Sequence, residues 1–306
     1  LVTGVAGFIG SHVVDSLLAE KVARVVVIDN LSRGRPENLT EASKSGKLKF
    51  ITGDIRDKDL LFKITRGVDY VIHEAAIRIT QCATDPRLCQ EVLVDGTFNV
   101  FEACVKNKVK KIIFNSSSSV YGEPSYLPMD EKHSYNNKTA YGAGKIANEH
   151  MARAFRHMYG LNYIGLRPFS VYGPRMDLFG VYTEVMIRWL ENIDEGKPPV
   201  IFGDGKNTTD FIYVEEVVKE TILALKSDIN EGFYNSGFGK ETSLNTLAML
   251  ILKLSKSTLT PVHRDQDRLQ PVSRRRADMT KAKEDLKLIS KISLEDGLEK
   301  LISWKK

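Results

Sequence analysis

Hydrophobic and polar positions follow two alternating periods along the first half of the chain. Short runs rich in β-branched and aromatic residues predict strands, because they are too short for helices. The predicted strands cover residues 25–28, 48–51, 70–72 and 112–114. Longer stretches between them, such as residues 10–19 and 94–107, predict helices. Strands that alternate with helices form a parallel sheet through right-handed crossovers. The pattern therefore predicts an α/β fold with a doubly wound parallel sheet.

The pattern of the second half differs and predicts a second, smaller domain. The regular alternation ends after Arg167, where proline and glycine become frequent. The later elements are predicted as helices over residues 181–193 and most of 243–304, and as strands over residues 211–213 and 233–235. The predicted domains are a sheet domain of residues 1–167 plus about 208–238, and a smaller, mostly helical C-terminal domain of residues 168–207 plus about 239–306.

Composition places the chain among globular proteins and excludes several classes. Its 306 residues are 42% hydrophobic and 27% charged, which is too apolar for a disordered chain. No apolar run approaches the roughly 18–20 residues that cross a membrane, so we expect no membrane association. The net charge of +5 is too small an excess to indicate a nucleic-acid partner.

The cysteines and the first residues bear on the cellular compartment. The three cysteines include no CxxC pair, which predicts reduced thiols and no metal site. The opening Leu1-Val2-Thr3-Gly4 lacks the basic and apolar regions of a secretory signal, and we expect a few strand residues to precede it. These features predict a cytoplasmic protein.

A glycine motif at the start of the chain predicts a nucleotide site. Gly4, Gly7 and Gly10 have the spacing G-x-x-G-x-x-G between a predicted strand and a predicted helix. Glycines there allow a tight turn, close approach of a pyrophosphate and close helix–strand packing, and the helix N-terminus offers N–H groups to phosphates. Asp29 follows Gly10 by 19 residues, where a carboxylate binds an adenosine ribose. We predict a Rossmann dinucleotide site; the alternative is a turn-rich βαβ unit without a ligand.

Residues near the second and third predicted strands indicate which dinucleotide binds. The Asp29 carboxylate accepts a hydrogen bond from a 2′-hydroxyl and repels a 2′-phosphate, which favours NAD over NADP. Arg33 is the contrary signal, although it is equally suited to the pyrophosphate. Asp54 follows the third strand and is placed for the adenine amino group.

A tyrosine and a lysine provide candidate chemistry. Tyr141 and Lys145 are spaced i, i+4, which places them on one face of a helix. Ser117 belongs to a polar segment at the C-terminal end of the predicted strand over residues 112–114, where ligands bind to parallel sheets. A nearby cation favours the phenolate of a tyrosine, which then takes a proton from a hydroxyl group that the serine holds in place. The alternative is an ordinary pair on a helix surface.

Several motifs together carry a resemblance to a known family. They are Gly4/Gly7/Gly10, Asp29-Asn30-Leu31-Ser32, Gly53-Asp54-Ile55, His73-Glu74-Ala75-Ala76, Tyr141/Lys145 and residues 116–122, 167–175 and 210–214. This set resembles the extended short-chain dehydrogenase/reductase family, in its branch of NAD-dependent sugar-nucleotide epimerases and dehydratases. The likeness covers nearly the whole chain.

The resemblance implies roles for individual residues. Tyr141 is expected to be the base, Lys145 its electrostatic partner and Ser117 the residue that orients the hydroxyl. The residues expected to bind NAD are Gly4, Gly7, Phe8, Ile9, Gly10, Asp29, Asn30, Ser32, Arg33, Gly34, Asp54, Ile55, Ala75, Ala76, Arg78, Tyr141, Lys145 and Pro168. Those expected to bind the nucleotide-sugar are Arg78, Ser117, Ser118, Ser119, Tyr141, Ser170, Thr183, Arg268 and Arg275. It also implies a homodimer that pairs the helices over residues 94–107 and 141–159; the alternative for their apolar stripes is packing on the sheet.

Four positions depart from the family pattern and bear on the substrate. Leu93 replaces the usual Asn, Thr209 a usual Arg at the diphosphate, and Pro271 a usual acidic residue near the ribose. Arg275 stands where the gate of the hexose pocket is often aromatic or small. It is expected to meet the diphosphate or the sugar; the alternative is a solvated basic loop.

The serine-rich segment bears on the type of reaction. Dehydratases of this family carry an Asp-Glu pair, and decarboxylases a Glu, where this chain has Ser118 and Ser119. Serine does not perform that proton transfer at neutral pH. We therefore predict C4 epimerisation of a UDP-hexose through a 4-keto intermediate, with N-acetylated and uronic sugars left open. The alternatives are a sugar-nucleotide reductase, dehydrogenase or dehydratase, and a silent NAD(H)-binding sensor.

Overall fold

The computed structural model describes residues 1–178, 184–265 and 272–306. Its strands are β1 Val2–Thr3, β2 Val25–Asp29, β3 Leu48–Thr52, β4 Tyr70–His73, β5 Lys111–Asn115, β6 Tyr163–Pro168, β7 Ser170–Tyr172, β8 Val200–Phe202, β9 Thr208–Tyr213, β10 Glu231–Ser236, β11 Glu241–Ser243 and β12 Val262–Arg264. Its α-helices are α1 Phe8–Ala19, α2 Thr40–Ser43, α3 Lys58–Ile64, α4 Ile79–Thr84, α5 Pro86–Cys89, α6 Thr97–Lys106, α7 Ala140–Tyr159, α8 Val185–Asp194, α9 Val214–Lys226, α10 Leu244–Leu254, α11 Thr280–Asp285 and α12 Leu294–Lys305.

The main sheet has the strand order β10-β6-β5-β4-β1-β2-β3, and each of its neighbouring pairs is parallel. The chain begins at β1 and runs outward through β2 and β3. It then crosses back to β4 and continues in the other direction. This reversal creates a crevice beyond the carboxyl ends of β1 and β4, which is the usual ligand position in such sheets. The predicted doubly wound Rossmann sheet is confirmed.

The predicted strands of the main sheet agree with the observed ones to within a residue or two at each end. The helix expected over residues 94–107 differs, because a π-helix over Gln90–Gly96 precedes α6. The helix expected over residues 181–193 corresponds to α8, although residues 181–183 lie outside the described part of the chain.

Strands of the second half form two further small sheets. One has the order β11-β9-β7 and the other pairs β12 with β8. Of the two strands predicted in residues 208–238, β10 joins the main sheet and β9 lies in the three-stranded sheet. The reason is that β9 pairs in parallel with β7, which begins two residues after β6 ends. Helix α10 packs against α8 and α12, and α12 packs against β9.

The expectation of reduced thiols is wrong for two of the three cysteines. Cys82 in α4 and Cys89 in α5 form a disulfide, with Cα atoms 4.9 Å apart. These two short helices meet at Asp85, which caps α5 by accepting a hydrogen bond from the Leu88 N–H group. The turn brings together sulfur atoms that are separated by only seven residues. Cys104 is a buried free thiol.

Within the described residues, no helix combines the length and the apolar character that a membrane crossing requires.

A buried histidine connects β1, β4 and α6. The two ring nitrogens of His73 form hydrogen bonds with the hydroxyl groups of Thr3, at 2.7 Å, and Thr97, at 3.0 Å. Burial, with a contribution from the Lys145 charge, lowers the pKa of His73 from 6.5 to about 3. The folded protein therefore keeps this ring neutral at pH values where the unfolded chain binds a proton.

We expect this difference to destabilise the fold as the pH falls from 6.5 towards about 3. In that window the unfolded state binds one more proton, which lowers the free energy of unfolding by up to about 1.4 kcal/mol per pH unit. His73→Gln keeps a donor and an acceptor but does not titrate. Urea unfolding at a series of pH values should therefore give a flatter dependence for this variant than for the wild type. Parallel curves for the two proteins would contradict the assignment.

Candidate active site

Glycines shape the turn between β1 and α1 at the crevice. Gly4 has a φ of 68°, and a Cβ there would lie 2.6 Å from the Ala75 backbone nitrogen, at the end of β4. A Cβ on Gly10 would overlap the Gly4 carbonyl oxygen. Among the described residues, no side chain caps the N-terminus of α1 at Gly7. Its N–H groups are thus available to an anion, and the cradle has the shape that a dinucleotide pyrophosphate requires.

A cleft of about 540 Å³ runs from this turn along the carboxyl ends of the strands. Every residue predicted to bind the cofactor lines this cleft, from the glycine turn and Asp29 at one end to Tyr141, Lys145 and Pro168 at the other. The structure thus brings together residues that are scattered over the first 168 positions of the chain.

The carboxylate of Asp29 is held by the backbone at the end of β2. It accepts hydrogen bonds from the N–H groups of Ala6, at 2.9 Å, and Leu31, at 2.8 Å. Burial raises the pKa of Asp29, and these two hydrogen bonds oppose the shift. A carboxylate has about four acceptor positions, so two remain for the hydroxyls of a ribose. A Cβ on Gly34 would lie 2.8 Å from Asp29 Oδ1, which explains the need for glycine there.

Hydrogen bonds hold the side chain of Asp54, which follows β3, in its ionised form. Its carboxylate accepts hydrogen bonds from Asn30 Nδ2 at 2.9 Å and from Arg56 Nη2 at 2.9 Å. Partial burial opposes its ionisation, but the hydrogen bonds from Arg56 and Asn30 outweigh that effect and lower the pKa of Asp54 to about 2. The Asp54 carboxylate is therefore ionised, and with two further hydrogen bonds from the Arg56 N–H and Nε groups it accepts four from within the protein.

Asp177 joins two arginines that were predicted to meet the cofactor. It forms an ion pair with Arg33 and lies 3.8 Å from Arg78. The Arg33 guanidinium is thus engaged by Asp177. This pairing weakens the indication that Arg33 binds the 2′-phosphate of NADP. No local pattern identified Asp177, because its partners are more than 90 positions away in the sequence.

The three candidate catalytic residues come from two elements that meet at the cleft. Ser117 follows β5 and starts a short 3₁₀ turn, and its Oγ accepts a hydrogen bond from the Ser119 N–H group at 3.1 Å. Helix α7 begins after Thr139, whose side chain accepts a hydrogen bond from the Gly142 N–H group. Tyr141 and Lys145 occupy the first two turns of α7, with the Lys145 Nζ 5.8 Å from the centroid of the Tyr141 ring.

The pKa of Tyr141 differs from the sequence-based expectation. Burial raises this pKa, Ser117 opposes the shift through a hydrogen bond, and the Glu184 charge adds to it. The Lys145 Nζ donates to the Asn115 carbonyl oxygen at 2.6 Å and does not offset the effect of burial. The phenol is therefore a weaker acid than an exposed tyrosine.

The charges of two carboxyl groups act on Lys145, which lines the cleft. Burial lowers its pKa to about 8, and the charges of Glu74 and Glu149 partly restore it. Burial raises the pKa of Glu74 to about 8, against the opposing effects of Lys145 and of a hydrogen bond from Asn115. Glu74 belongs to the motif His73-Glu74-Ala75-Ala76 but was not predicted as a site residue. Its position after β4, at the carboxyl edge of the sheet, was the available signal.

A buried ion pair holds α7 against the sheet. Glu149 is spaced i+4 from Lys145, and Arg167 lies at the end of β6; both side chains are essentially inaccessible. Arg167 donates to the two carboxylate oxygens of Glu149 at 2.8 and 2.6 Å. Ser116 and Tyr135 each donate a further hydrogen bond of 2.6 Å to the same carboxylate. The network joins α7, β6 and the residue next to Ser117.

A second cavity of about 950 Å³ adjoins the first and shares Ser117 and Tyr141 with it. The predicted substrate-binding residues that line it are Arg78, Ser117, Ser118, Ser119, Tyr141, Ser170 and Arg275. Thr183 and Arg268 lie outside the described residues. The charged residues described along its wall are Arg78, Arg188, Arg264, Arg275, Glu184 and Glu191, an excess of positive charge that suits a phosphorylated ligand.

The departures from the family pattern have structural counterparts. Leu93 is buried, and a Cβ on Gly144 would lie 3.1 Å from the Leu93 Cβ, so the π-helix packs closely on α7. The hydroxyl groups of Thr209 and Ser170 form a hydrogen bond of 2.8 Å on the wall of the second cavity. Pro271 lies outside the described residues.

The fold and the cleft define a dinucleotide-binding protein of the short-chain dehydrogenase/reductase type. Residues 1–237 match the NAD dependent epimerase/dehydratase family. A relative described as a putative UDP-glucose 4-epimerase, from Methanocaldococcus jannaschii, is 39% identical over 311 residues, covering 100% of this chain and 98% of the relative. This chain therefore belongs to the NAD-dependent epimerase/dehydratase family, as the motifs predicted.

Solved structures agree with this assignment. A UDP-N-acetylglucosamine 4-epimerase from Methanobrevibacter ruminantium, in complex with UDP-N-acetylmuramic acid, is 36% identical with a TM-score of 0.93, covering 99% of this chain and 96% of that chain. A UDP-glucuronic acid 4-epimerase variant from Bacillus cereus, in complex with NAD and a fluorinated UDP-glucuronic acid, is 30% identical with a TM-score of 0.91, covering 99% of this chain and 97% of that chain.

We expect the Glu149–Arg167 pair to behave as a coupled unit in stability measurements. Arg167→Met leaves the Glu149 carboxylate buried without its cation, which should lower the free energy of unfolding by about 3–5 kcal/mol. The double variant Glu149→Gln/Arg167→Met leaves no buried charge and should be destabilised less than Arg167→Met alone. Urea unfolding of the wild type, both single variants and the double variant measures the coupling. Simple additivity of the two single effects would contradict the proposed pairing.

Proposed function

We propose that this protein is an NAD-dependent 4-epimerase of a UDP-sugar. The observation that carries the proposal is the position of Ser117 and Tyr141, which line both the dinucleotide-shaped cleft and the adjoining second cavity. A sugar in the second cavity then meets the acid–base group and the cofactor at the same place. The relatives described above support the reaction type, since each is named as a 4-epimerase of a UDP-sugar.

The site residues supply binding and proton transfer. NAD, when bound, supplies a reversible two-electron acceptor for C4 of the sugar and adds a positive charge to the cleft. Tyr141 takes the proton of the C4 hydroxyl and later returns it to the oxygen of the 4-keto sugar. Ser117 donates a hydrogen bond that holds this oxygen. Lys145 provides a buried cation beside the phenol, which together with the cofactor charge favours the phenolate that burial disfavours.

The residues beside Ser117 support epimerisation over dehydration or decarboxylation. Ser118 is buried, and both Ser118 and Ser119 line the second cavity, where those reactions need a carboxyl group as acid or base. NAD is supported over NADP because the Asp29 carboxylate lines the cleft and Arg33 is paired with Asp177.

The proposal also covers the roles of the two domains, the oligomeric state and the cellular compartment. We assign NAD binding to residues 1–167 plus about 208–238 and sugar-nucleotide binding to residues 168–207 plus about 239–306. A cytoplasmic homodimer is part of the proposal. Apolar side chains exposed on α6 and α7 support the dimer: Phe98 is 41% exposed, Met158 64% and Tyr159 55%.

We expect the purified protein to contain NAD and to turn over UDP-sugars without added cofactor. Because the reaction is redox-neutral, reduced nicotinamide should not accumulate with product. Nucleotide released by denaturation identifies the cofactor, and chromatography of the sugars follows the reaction. Absorbance of reduced nicotinamide that rises in proportion to product would instead indicate a reductase or dehydrogenase. Tight NAD binding without turnover of any sugar nucleotide would indicate a sensor.

We expect Tyr141→Phe to lower kcat by on the order of 10²–10⁴-fold, because the ring still packs but the proton acceptor is lost. NAD content and thermal unfolding should stay close to wild type. Tyr70→Phe, at the exposed start of β4, is the matched control and should leave kcat unchanged. Near-normal activity of Tyr141→Phe would show that another group is the base.

A further inference from the structure

Three consecutive arginines before α11 have different surroundings. Arg274 forms an ion pair with Glu241, with contacts of 2.9–3.0 Å at the surface. Arg276 donates from Nε to the Gly239 carbonyl oxygen at 3.0 Å. Arg275 instead lines the second cavity. The alternative of a solvated basic loop therefore applies to its two neighbours and not to Arg275.

The backbone around Arg275 is fixed on both sides. Its N–H group donates to the Thr208 carbonyl oxygen at 3.1 Å, and the Thr208 N–H group donates to the Ser273 carbonyl oxygen at 3.1 Å. The Met129 N–H group donates to the Arg276 carbonyl oxygen at 2.8 Å. This segment is thus paired with β9 on one side and with the Met129 loop on the other. The Arg275 side chain leaves it from a defined position.

The guanidinium of Arg275 lacks a protein counter-ion in the described part of the chain. Its Nε is buried without a hydrogen-bond partner. Burial lowers the pKa of Arg275, and the charge of Glu123 opposes the shift. Glu123 is itself engaged, because it accepts hydrogen bonds from the backbone N–H and the hydroxyl of Ser273. A half-buried arginine with a buried, unpartnered Nε is poorly compensated until an anion reaches it.

Arg275 lines the second cavity together with the serines of the segment that follows β5. Glu123, whose charge acts on Arg275, lies three residues after the 3₁₀ turn Ser118–Val120. The contacts between Glu123 and Ser273 join the arginine segment to this turn. Arg78, which was expected to bind both the cofactor and the nucleotide-sugar, lies 3.8 Å from Asp177 and lines the cofactor cleft as well as the second cavity. Arg188 and Arg264 are exposed along the wall.

We propose that Arg275 binds a carboxylate on the sugar ring, so that the substrate is a nucleotide-linked acidic sugar such as a hexuronate. This inference rests on the proposed 4-epimerase function. The planar guanidinium provides paired donors that match the two oxygens of a carboxylate. The wall beside it, formed by Ser118, Ser119, Ser170 and Thr209, provides hydroxyl groups for the other sugar oxygens.

The test compares UDP-glucose, UDP-N-acetylglucosamine and UDP-glucuronate with the wild type, Arg275→Met, Arg275→Lys and the matched control Arg274→Met. We expect the wild type to prefer UDP-glucuronate. Arg275→Met should lower kcat/KM for UDP-glucuronate by on the order of 10–100-fold and change the neutral sugars by less than about threefold. Arg275→Lys should retain part of the preference, and Arg274→Met should retain all of it. NAD content should be equal in the four proteins.

Other outcomes overturn the inference in distinguishable ways. A uniform loss over the three substrates in Arg275→Met assigns the residue to the diphosphate, and no loss assigns it to the surface. Either result leaves the epimerase function intact. If the wild type converts none of the three, the proposed function fails. Calorimetric binding then still tests Arg275, since the wild type should bind UDP-glucuronate more tightly than UDP-glucose and Arg275→Met should not.

Discussion

The buried ion pair between Glu149 and Arg167 is the interaction on which the arrangement of the cleft depends. It joins α7 to the end of β6, and through the Ser116 hydroxyl it also holds the residue before Ser117. Tyr141, Lys145 and Glu149 follow one another at intervals of four residues on one helix face. A contact that fixes the third of these residues therefore also fixes the direction of the first two. The buried Glu149–Arg167 pair thus positions groups on α7, on β6 and in the segment after β5.

The charges around this pair explain why the cleft is suited to acid–base chemistry. Burial disfavours the charged forms of Lys145, Glu74 and Tyr141. It lowers the pKa of Lys145 to about 8 and raises the pKa of Glu74 to about 8. Groups with such shifts gather at functional sites because their protonation responds to small changes in nearby charge. A ligand that brings positive charge into the cleft favours the Tyr141 phenolate, which burial disfavours.

The substrate side is built differently, from segments that are distant in sequence. Thr209 in β9 is paired with Ser170 in β7, where a cation is usual in the family, and Arg275 lines the same cavity from the segment beside β9. The cavity therefore carries an arginine at a position other than that of Thr209. This difference lies on the wall and leaves Ser117 and Tyr141 at the junction of the two cavities.

Local pattern was sufficient to predict the doubly wound sheet, the glycine turn and the Tyr141/Lys145 pair. Each of these depends on spacing within a few residues: strand and helix periods, the lack of a Cβ, and the i, i+4 geometry. The residues that line the cleft also follow once the strand order is known, because the carboxyl ends of parallel strands share one edge. Other features depend on contacts between distant segments. The pairing of β9 with β7, the contact of Asp177 with Arg33 and the exposure of Arg275 to the cavity have no local signature. Only the folded chain decides them, since each depends on which surfaces the three-dimensional packing brings together.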